Sequence, residues 1–586
     1  MNQVYTAGAV TGVVLITVLV GALGLRISRT TSDFYVASRS VPPWLNASAI
    51  SGEYLSAASF LGIAGLVLAQ GADSLWYPVG YTAGFLVLLA FVAAPLRRSG
   101  AYTLPDFAEA RLESRVVRRM ASVFVVGVGW LYLLPQLQGA GLTLRILTGA
   151  PGWLGGAVVA AVVTAVVAAG GMRSITFVQA FQYWLKLTAL LVPAIFLCLA
   201  WSGGISPGAV FDRPATFRTA TSVTVDDTVR IDVARPTRIT AVGTATVDGT
   251  RHHGGRFVLA PGVHTVDAGA TLRFPAHARV PERAGYGGTG DGGTGYGGRA
   301  DWARSVTGPQ EPHHLYATYG LILATFLGTM GLPHVTVRFY TSPDGRAARR
   351  TTLVVLGLIG AFYLLPPVFG ALARVYAPDL TLTGQTDAAV LVLPARMLGG
   401  GAGEALGALV AAGAFAAFLS TASGLTMSVA GVLTQDVLPS LGIRHFRVAT
   451  LAAMGVPLAA ATMVTGLSVA DAVGLAFAVS ASAFCPLLVL GIWWRGLTAP
   501  GAIAGILAGG GSALTAVALT MADWVTGPGW PHTLLQWPAV WSVPVGFLTM
   551  ISVSLAGRRA LPVSVAATMA RLHLPEPAAP ARGARG

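Results

Sequence analysis

Two long apolar stretches carry glycine-bearing interruptions in their middles: Ser51-Gly52-Glu53-Tyr54-Leu55-Ser56-Ala57 and Gly328-Thr329-Met330-Gly331-Leu332-Pro333-His334. Lipid offers no partner to a backbone N–H or C=O. A helix opened at bilayer depth therefore persists only where those groups meet protein, a ligand, an ion or water. Interruptions at matching places in two halves of a membrane chain point to the binding site of a transporter.

Composition places the chain in the membrane. Of its 586 residues 54% are hydrophobic and 11% charged, against about 25% charged in soluble domains. Stretches long enough to cross a bilayer number about thirteen, near residues 4–25, 43–69, 75–96, 120–146, 153–170, 174–201, 315–340, 352–376, 404–433, 447–467, 470–494, 499–522 and 536–557. The fold class is an all-α integral membrane protein.

Arginines set the orientation. Arg26, Arg29 and Arg39, then Arg97, Arg98, Arg111, Arg115, Arg118 and Arg119, then Arg338, Arg346, Arg349 and Arg350, then Arg444 and Arg447 follow the first, third, seventh and ninth stretches. The short loops on the opposite side are nearly free of positive charge, Arg396 being the main exception. The first stretch has no basic residue before it and Arg26 after it, so it reads as a span with its N-terminus outside, not a signal peptide. An odd count puts Arg558, Arg559 and the tail in the cytoplasm, in a multi-pass plasma-membrane protein. The net charge of +14 is mostly this bias, which argues against a nucleic-acid partner.

Five segments follow. Residues 1–202 hold an extra helix and five more; 203–312 form a polar extracellular insert; 313–496 hold a second set of five; 497–560 hold two accessory helices; 561–586 form a cytoplasmic tail. In the insert, period-2 runs such as Val229-Arg230-Ile231-Asp232-Val233 and Arg238-Ile239-Thr240-Ala241-Val242 predict a small β module. A Gly-rich linker follows over 285–298, and the tail from about Pro575 reads as disordered. Cys198 and Cys485 lie in apolar stretches without motif spacing, so buried unpaired thiols are expected.

Several polar residues interrupt the spans. Glu53 is an ionisable group inside one, which makes it a functional candidate, unless it lies at the cytoplasmic edge and pairs there. Ser420 and Thr421 sit mid-span. They serve either as neutral oxygen ligands for a cation or as hydroxyls bonded back to their own helix.

The chain as a whole resembles the sodium:solute symporter family, in its branch of cation/acetate and monocarboxylate symporters. The residues that carry the resemblance are Asp33-Phe34-Tyr35-Val36-Ala37-Ser38-Arg39, the Ser51 to Gly62 run, and Gly170-Gly171-Met172-Arg173-Ser174-Ile175-Thr176 with Gln179, Gln182 and Tyr183. Gly328 to His334 with Arg338-Phe339, Leu419-Ser420-Thr421 and Thr434-Gln435-Asp436 complete them. The resemblance implies a leucine-transporter-like inverted five-plus-five repeat in which the broken helices open each half. It also implies a sodium site made by Gly52, Leu55, Ala417, Ser420 and Thr421, the first three through backbone oxygens.

One position departs from the family pattern. Where several sodium-coupled relatives place an aspartate near the ion, this chain has Gln179, and seven residues on stands Lys186, its one lysine. At 1.5 Å per residue Lys186 lies roughly 18 Å into a span begun at Ser174, where a lysine costs about 2.5–3.5 kcal/mol. Three accounts stand: it attracts a substrate carboxylate, it titrates and couples transport to protons, or it pairs structurally with Glu53 or a free carbonyl. Glu53 and Gln179 are the candidates for an ion pathway.

At the second interruption Pro333 fits the first turn of a new half-helix, whose amides and dipole suit a small carboxylate. Gly328, Thr329 and Gly331, with Ser59, Phe60 and Lys186, form the expected substrate pocket; the alternative is a Pro-kinked packing helix. Arg338 and Arg346 to Arg350 read as topology determinants.

The expected function is secondary active uptake of acetate, propionate or pyruvate, with sodium or protons as coupling ion and no other cofactor. A symporter of another small solute, such as proline or a vitamin, is the alternative within that class, and a solute sensor or a passive channel the alternatives outside it. No P-loop or metal-ligand cluster supports ATP-driven transport or enzyme chemistry, and no obligatory protein partner is evident.

Overall fold

The computed structural model describes residues 3–25, 37–201, 214–283, 302, 313–437, 442–463, 469–522, 524, 529–557 and 561–575. Arg26, Arg29, Asp33 to Val36, Arg558, Arg559, the linker over 285–298 and the last eleven residues lie outside them.

Both interruptions are breaks. The first helix of the first half runs Pro43–Tyr54, with Pro43 in its first turn, and stops where Leu55 turns to φ −74°, ψ 85°. The chain resumes in the wide turn Ala58–Gly62 and then in Ile63–Gln70. In the second half His314–Gly331 stops at Leu332, with φ −63° and ψ 117°, and Pro333–Phe339 restarts at a 43° bend. Residues 51 to 63 and 328 to 340 are buried without exception, so neither break faces lipid.

Among the described residues nine helices are long and apolar enough to cross a membrane, or ten counting the bent pair as one. The nine hold more of the thirteen expected stretches than their number, because two of them each join a pair of stretches across a turn, and one further stretch falls short of the length required. Gly152–Trp201 runs 50 residues with Gly171 non-helical at φ 59°, ψ −165°. Ala58–Ser99 covers 42 residues, and His445–Ala461 is shorter than a full span.

Close helix approach explains much of the glycine content. A methyl group on Gly155 would come within 2.2 Å of the Ala140 carbonyl oxygen, and one on Gly141 within 2.2 Å of the Gly152 oxygen. Small residues permit such contact where hydrophobicity cannot drive association. The decisive case is Gly52: a Cβ there would stand 2.2 Å from the Gln179 carbonyl oxygen. The broken helix therefore lies directly against the helix that carries Lys186.

The basic side of the molecule is tied by side chains. The helix starts at Leu104, Arg115 and Gly345 are capped by Thr103, Ser114 and Asp344. Arg118 pairs with Asp106 at 2.9 Å, with Glu109 at 2.7 Å and with Asp436, joining three helices. Arg98 Nη1 donates to the His573 carbonyl at 3.2 Å.

Residues 221–283 form a seven-stranded antiparallel sheet with its own core of Val223, Ile231, Ile239, Val266, Leu272 and Phe274. The strands Val229–Val233 and Thr237–Val247 cover two of the alternating runs. Cys485 is buried, but Cys198 is exposed, contrary to expectation; it lies on the outer face of a helix whose apolar surface is turned away from the protein.

The Gly52 contact generates a prediction. Gly52→Ala forces a backbone shift that costs about 1–3 kcal/mol or more, expected as a clear fall in the melting temperature of the detergent-purified protein. An unchanged melting temperature would show that the two helices do not meet there.

Candidate cation and substrate site

The first break turns two carbonyls toward Lys186. The Lys186 amine donates to the Gly52 oxygen, to the Leu55 oxygen at 2.7 Å and to Ser420 Oγ at 2.9 Å. These satisfy all three ammonium donors, and the side chain is wholly buried. Hydrogen bonds that involve a charged group contribute about 1.5–3 kcal/mol each, enough together to offset the cost of a lysine at this depth.

Two further members of the expected sodium set, Ala417 and Thr421, are bonded nearby. Ser420 Oγ donates to the Ala417 carbonyl at 3.1 Å, and Thr421 Oγ1 donates to the Glu53 carbonyl at 2.6 Å. Gly52, Leu55, Ser420 and Ala417 thus form one hydrogen-bonded set around the Lys186 amine, while Thr421 is bonded to the carbonyl of Glu53, between Gly52 and Leu55 in the chain. Of the structural accounts of Lys186, pairing with carbonyls rather than with Glu53 is what the geometry displays.

Glu53 is paired instead with Arg338, whose Nε stands 2.7 Å from Glu53 Oε2, both residues only 1% exposed. Arg338 also donates from Nη1 to Thr176 Oγ1 at 2.8 Å and from Nη2 to Gln179 Oε1. This overturns the reading of Arg338 as a topology determinant: its guanidinium points inward, where three acceptors await it. Gln179 Nε2 donates to the Ser420 carbonyl at 2.8 Å, so Gln179 joins the ion pair to the lysine cluster. The pair bridges the half-helices Pro43–Tyr54 and Pro333–Phe339, one from each half.

The expected substrate residues are bonded to other side chains around the breaks. Tyr54 OH and Thr329 Oγ1 are 2.7 Å apart, linking the two breaks. The Gly328 carbonyl accepts from Ser480 Oγ at 3.1 Å, and Gly331 packs on Ser480 and Phe484. Ser59 Oγ meets Tyr363 OH at 2.8 Å, while Phe60 packs toward Phe362 and Gly413. Between Ser59 and Thr329 stand the rings of Tyr363, Tyr81 and Tyr54, the first two stacked at 6.0 Å and the last two edge-on at 6.1 Å.

Sequence reasoning passed over the helix Arg115–Thr148. Its Gln136 Oε1 accepts the Ala57 N–H at 3.0 Å, inside the first break, and its Tyr132 ring lies 5.4 Å from that of His334, at the second. A signal was present: Pro135-Gln136 interrupts an apolar run, and a polar group beside a proline in a span marks freed backbone.

A profile of the sodium:solute symporter family matches residues 34–249 and 303–509. The chain belongs to the sodium:solute symporter family. It is 29% identical over 553 residues to the uncharacterized symporter YwcA of Bacillus subtilis, covering 92% of this chain and 91% of that one. It is likewise 29% identical to a monocarboxylic acid transporter of Corynebacterium glutamicum, covering 91% and 88%. Among solved structures, a substrate-bound, outward-open Na+-coupled sialic acid symporter superposes with a TM-score of 0.63 at 14% identity, covering 94% of this chain and 98% of that one. The shared fold is that of a multi-pass membrane transporter.

The buried ion pair is testable by a double-mutant cycle. Glu53→Gln or Arg338→Met alone leaves one buried charge unpaired, a loss of about 3–5 kcal/mol. The double variant is expected to melt higher than the two single losses predict by addition. Strict additivity in thermal unfolding would mean that the two side chains do not interact.

Proposed function

We propose that this family member is a secondary active symporter that takes up a short monocarboxylate, acetate, propionate or pyruvate, by alternating access, with the proton as its coupling ion. The observation that carries the reading is the Lys186 amine bonded to Gly52, Leu55 and Ser420. A sodium ion entering that set of oxygens would have to displace a cation already held by three hydrogen bonds. A lysine, unlike sodium, stays with the protein and exchanges only its proton. Loss of that proton removes the charge that holds the Gly52 and Leu55 carbonyls to Ser420, and so loosens the first broken helix from the helix Gly400–Val432.

Two further points support a carboxylate. One relative with this degree of similarity is named a monocarboxylic acid transporter. A carboxylate and a proton moving together also carry no net charge, so the field of the membrane does not oppose uptake. In this reading the N-terminus and the 203–312 insert stand outside and the tail stands in the cytoplasm, as the arginine bias argues. A symporter of another small solute and a sensor remain the alternatives that the test separates.

The test is uptake of labelled acetate, propionate and pyruvate into proteoliposomes under separately imposed proton and sodium gradients. A pH gradient alone should drive accumulation that a protonophore collapses, and a sodium gradient alone should not. Lys186→Met should lower the accumulation ratio at least about tenfold, or ~1.4 kcal/mol of coupled driving force. Sodium-driven accumulation in the wild type would contradict proton coupling, and no accumulation of any solute would favour the sensor.

A further inference from the structure

We propose that the insert, through its β module and Trp302, latches the outer side of the carrier shut. The latch rests on the alternating-access reading and on the orientation that the arginines give. It has two grips, one on residues 377–388 and one on the outer half of the first broken helix.

The β module makes the first grip. Leu382, in the short helix Asp379–Thr383, is 0% exposed and belongs to the apolar core of the module rather than to that of the membrane helices. Gln385 Nε2 donates to Asp226 Oδ2 at 2.8 Å, in the turn between the strands Thr221–Thr224 and Val229–Val233. Gly384, at φ 73°, leaves no room for a Cβ beside Arg283 Nη1. The same segment presses inward on its other side. A Cβ on Gly65, in Ile63–Gln70, would stand 2.9 Å from the Asp387 nitrogen. Asp387 Oδ2 accepts the Val469 N–H at 3.2 Å, at the start of Val469–Trp493. Residues 377–388 are thus wedged between the module and the outer half of the first broken helix.

Trp302, between the module and the helix His314–Gly331 in the chain, makes the second grip. Its indole Nε1 donates to the Leu68 carbonyl at 3.2 Å, and its own carbonyl accepts the Ala72 N–H at 3.0 Å. Leu68 lies in the last turn of Ile63–Gln70, where a helix leaves its carbonyls without internal partners. On the other side the Arg374 guanidinium lies over the ring, 4.9 Å from its centroid. Arg374 is on Pro366–Tyr376, the helix that leads into residues 377–388.

Both grips cross the same boundary. They join Ile63–Gln70, from the first half, to Pro366–Tyr376 and Val469–Trp493, from the second. Alternating access requires such elements to part on the outer side in one of its two packings. A weaker latch then has a signature that general damage lacks. Apparent affinity scales with the fraction of molecules open to the ligand, so loosening the latch lowers the KM for external substrate.

The experiment measures hydrogen exchange of the full-length protein in nanodiscs and the external KM for labelled acetate in proteoliposomes, for wild type, Trp302→Ala and Leu382→Ala. In Trp302→Ala the amides of residues 68–76 should exchange about tenfold faster, while those of Val229–Val233 keep the wild-type rate. Its KM should fall about threefold or more, and that of Trp302→Phe, which keeps a ring under Arg374, by less. If Trp302→Ala fails to purify as a folded protein, Leu382→Ala is read in its place, on the amides of 377–388 and on KM. Wild-type exchange and KM in the folded variants would overturn the latch and leave the carrier reading intact. Faster exchange with an unchanged or raised KM would overturn it too, and show a brace that does not gate. A wild type that accumulates no solute would overturn the carrier reading itself, and the latch with it.

Discussion

A buried ammonium held by backbone carbonyls is the contact on which the rest of this structure depends. The chain leaves helical geometry at Leu55, in a place where lipid could not satisfy the oxygens of Gly52 and Leu55, and Lys186 supplies the missing donors. Each partner answers the other's cost. A lysine at that depth needs acceptors, and an opened helix needs donors. Gly52 allows the approach, because any side chain would strike the Gln179 carbonyl, and Ser420 brings in the helix Gly400–Val432.

Around this contact the two halves of the molecule are joined through polar groups that would be expensive to bury alone. The Glu53–Arg338 pair links the half-helices on one side of the breaks, and Gln179 connects that pair to Ser420. Tyr54 and Thr329 link the breaks themselves. Buried polar networks of this kind hold one arrangement strongly while every member is satisfied. Removal of one charge then shifts the whole set, which suits a carrier that alternates between two packings.

Much of this was legible in the chain, for stated reasons. Glycines in the middle of two apolar runs, the second followed by proline, announced the breaks, and Gly328 and Gly331 also make room for Phe477 and Ser480. Lys186 announced itself by its cost. Its partners were less legible, since carbonyls have no sequence signature and their direction depends on a turn at Leu55 that tertiary contact sets. Arg338 was misread because an arginine near a basic loop resembles a topology signal; only the fold shows Glu53, Thr176 and Gln179 around it. Gln136 was passed over because a single amide in a span gives no spacing pattern. The boundary expected between the stretches 153–170 and 174–201 falls at the non-helical Gly171, where a positive φ suits glycine.

The account stands or falls on what fills the oxygens of Gly52, Leu55 and Ser420. Binding of radiolabelled sodium to the detergent-purified protein, wild type beside Lys186→Ala, measures it directly. The account predicts no saturable sodium binding in the wild type and its appearance once the amine is removed. Saturable sodium binding to the wild type, unchanged in the variant, would contradict it.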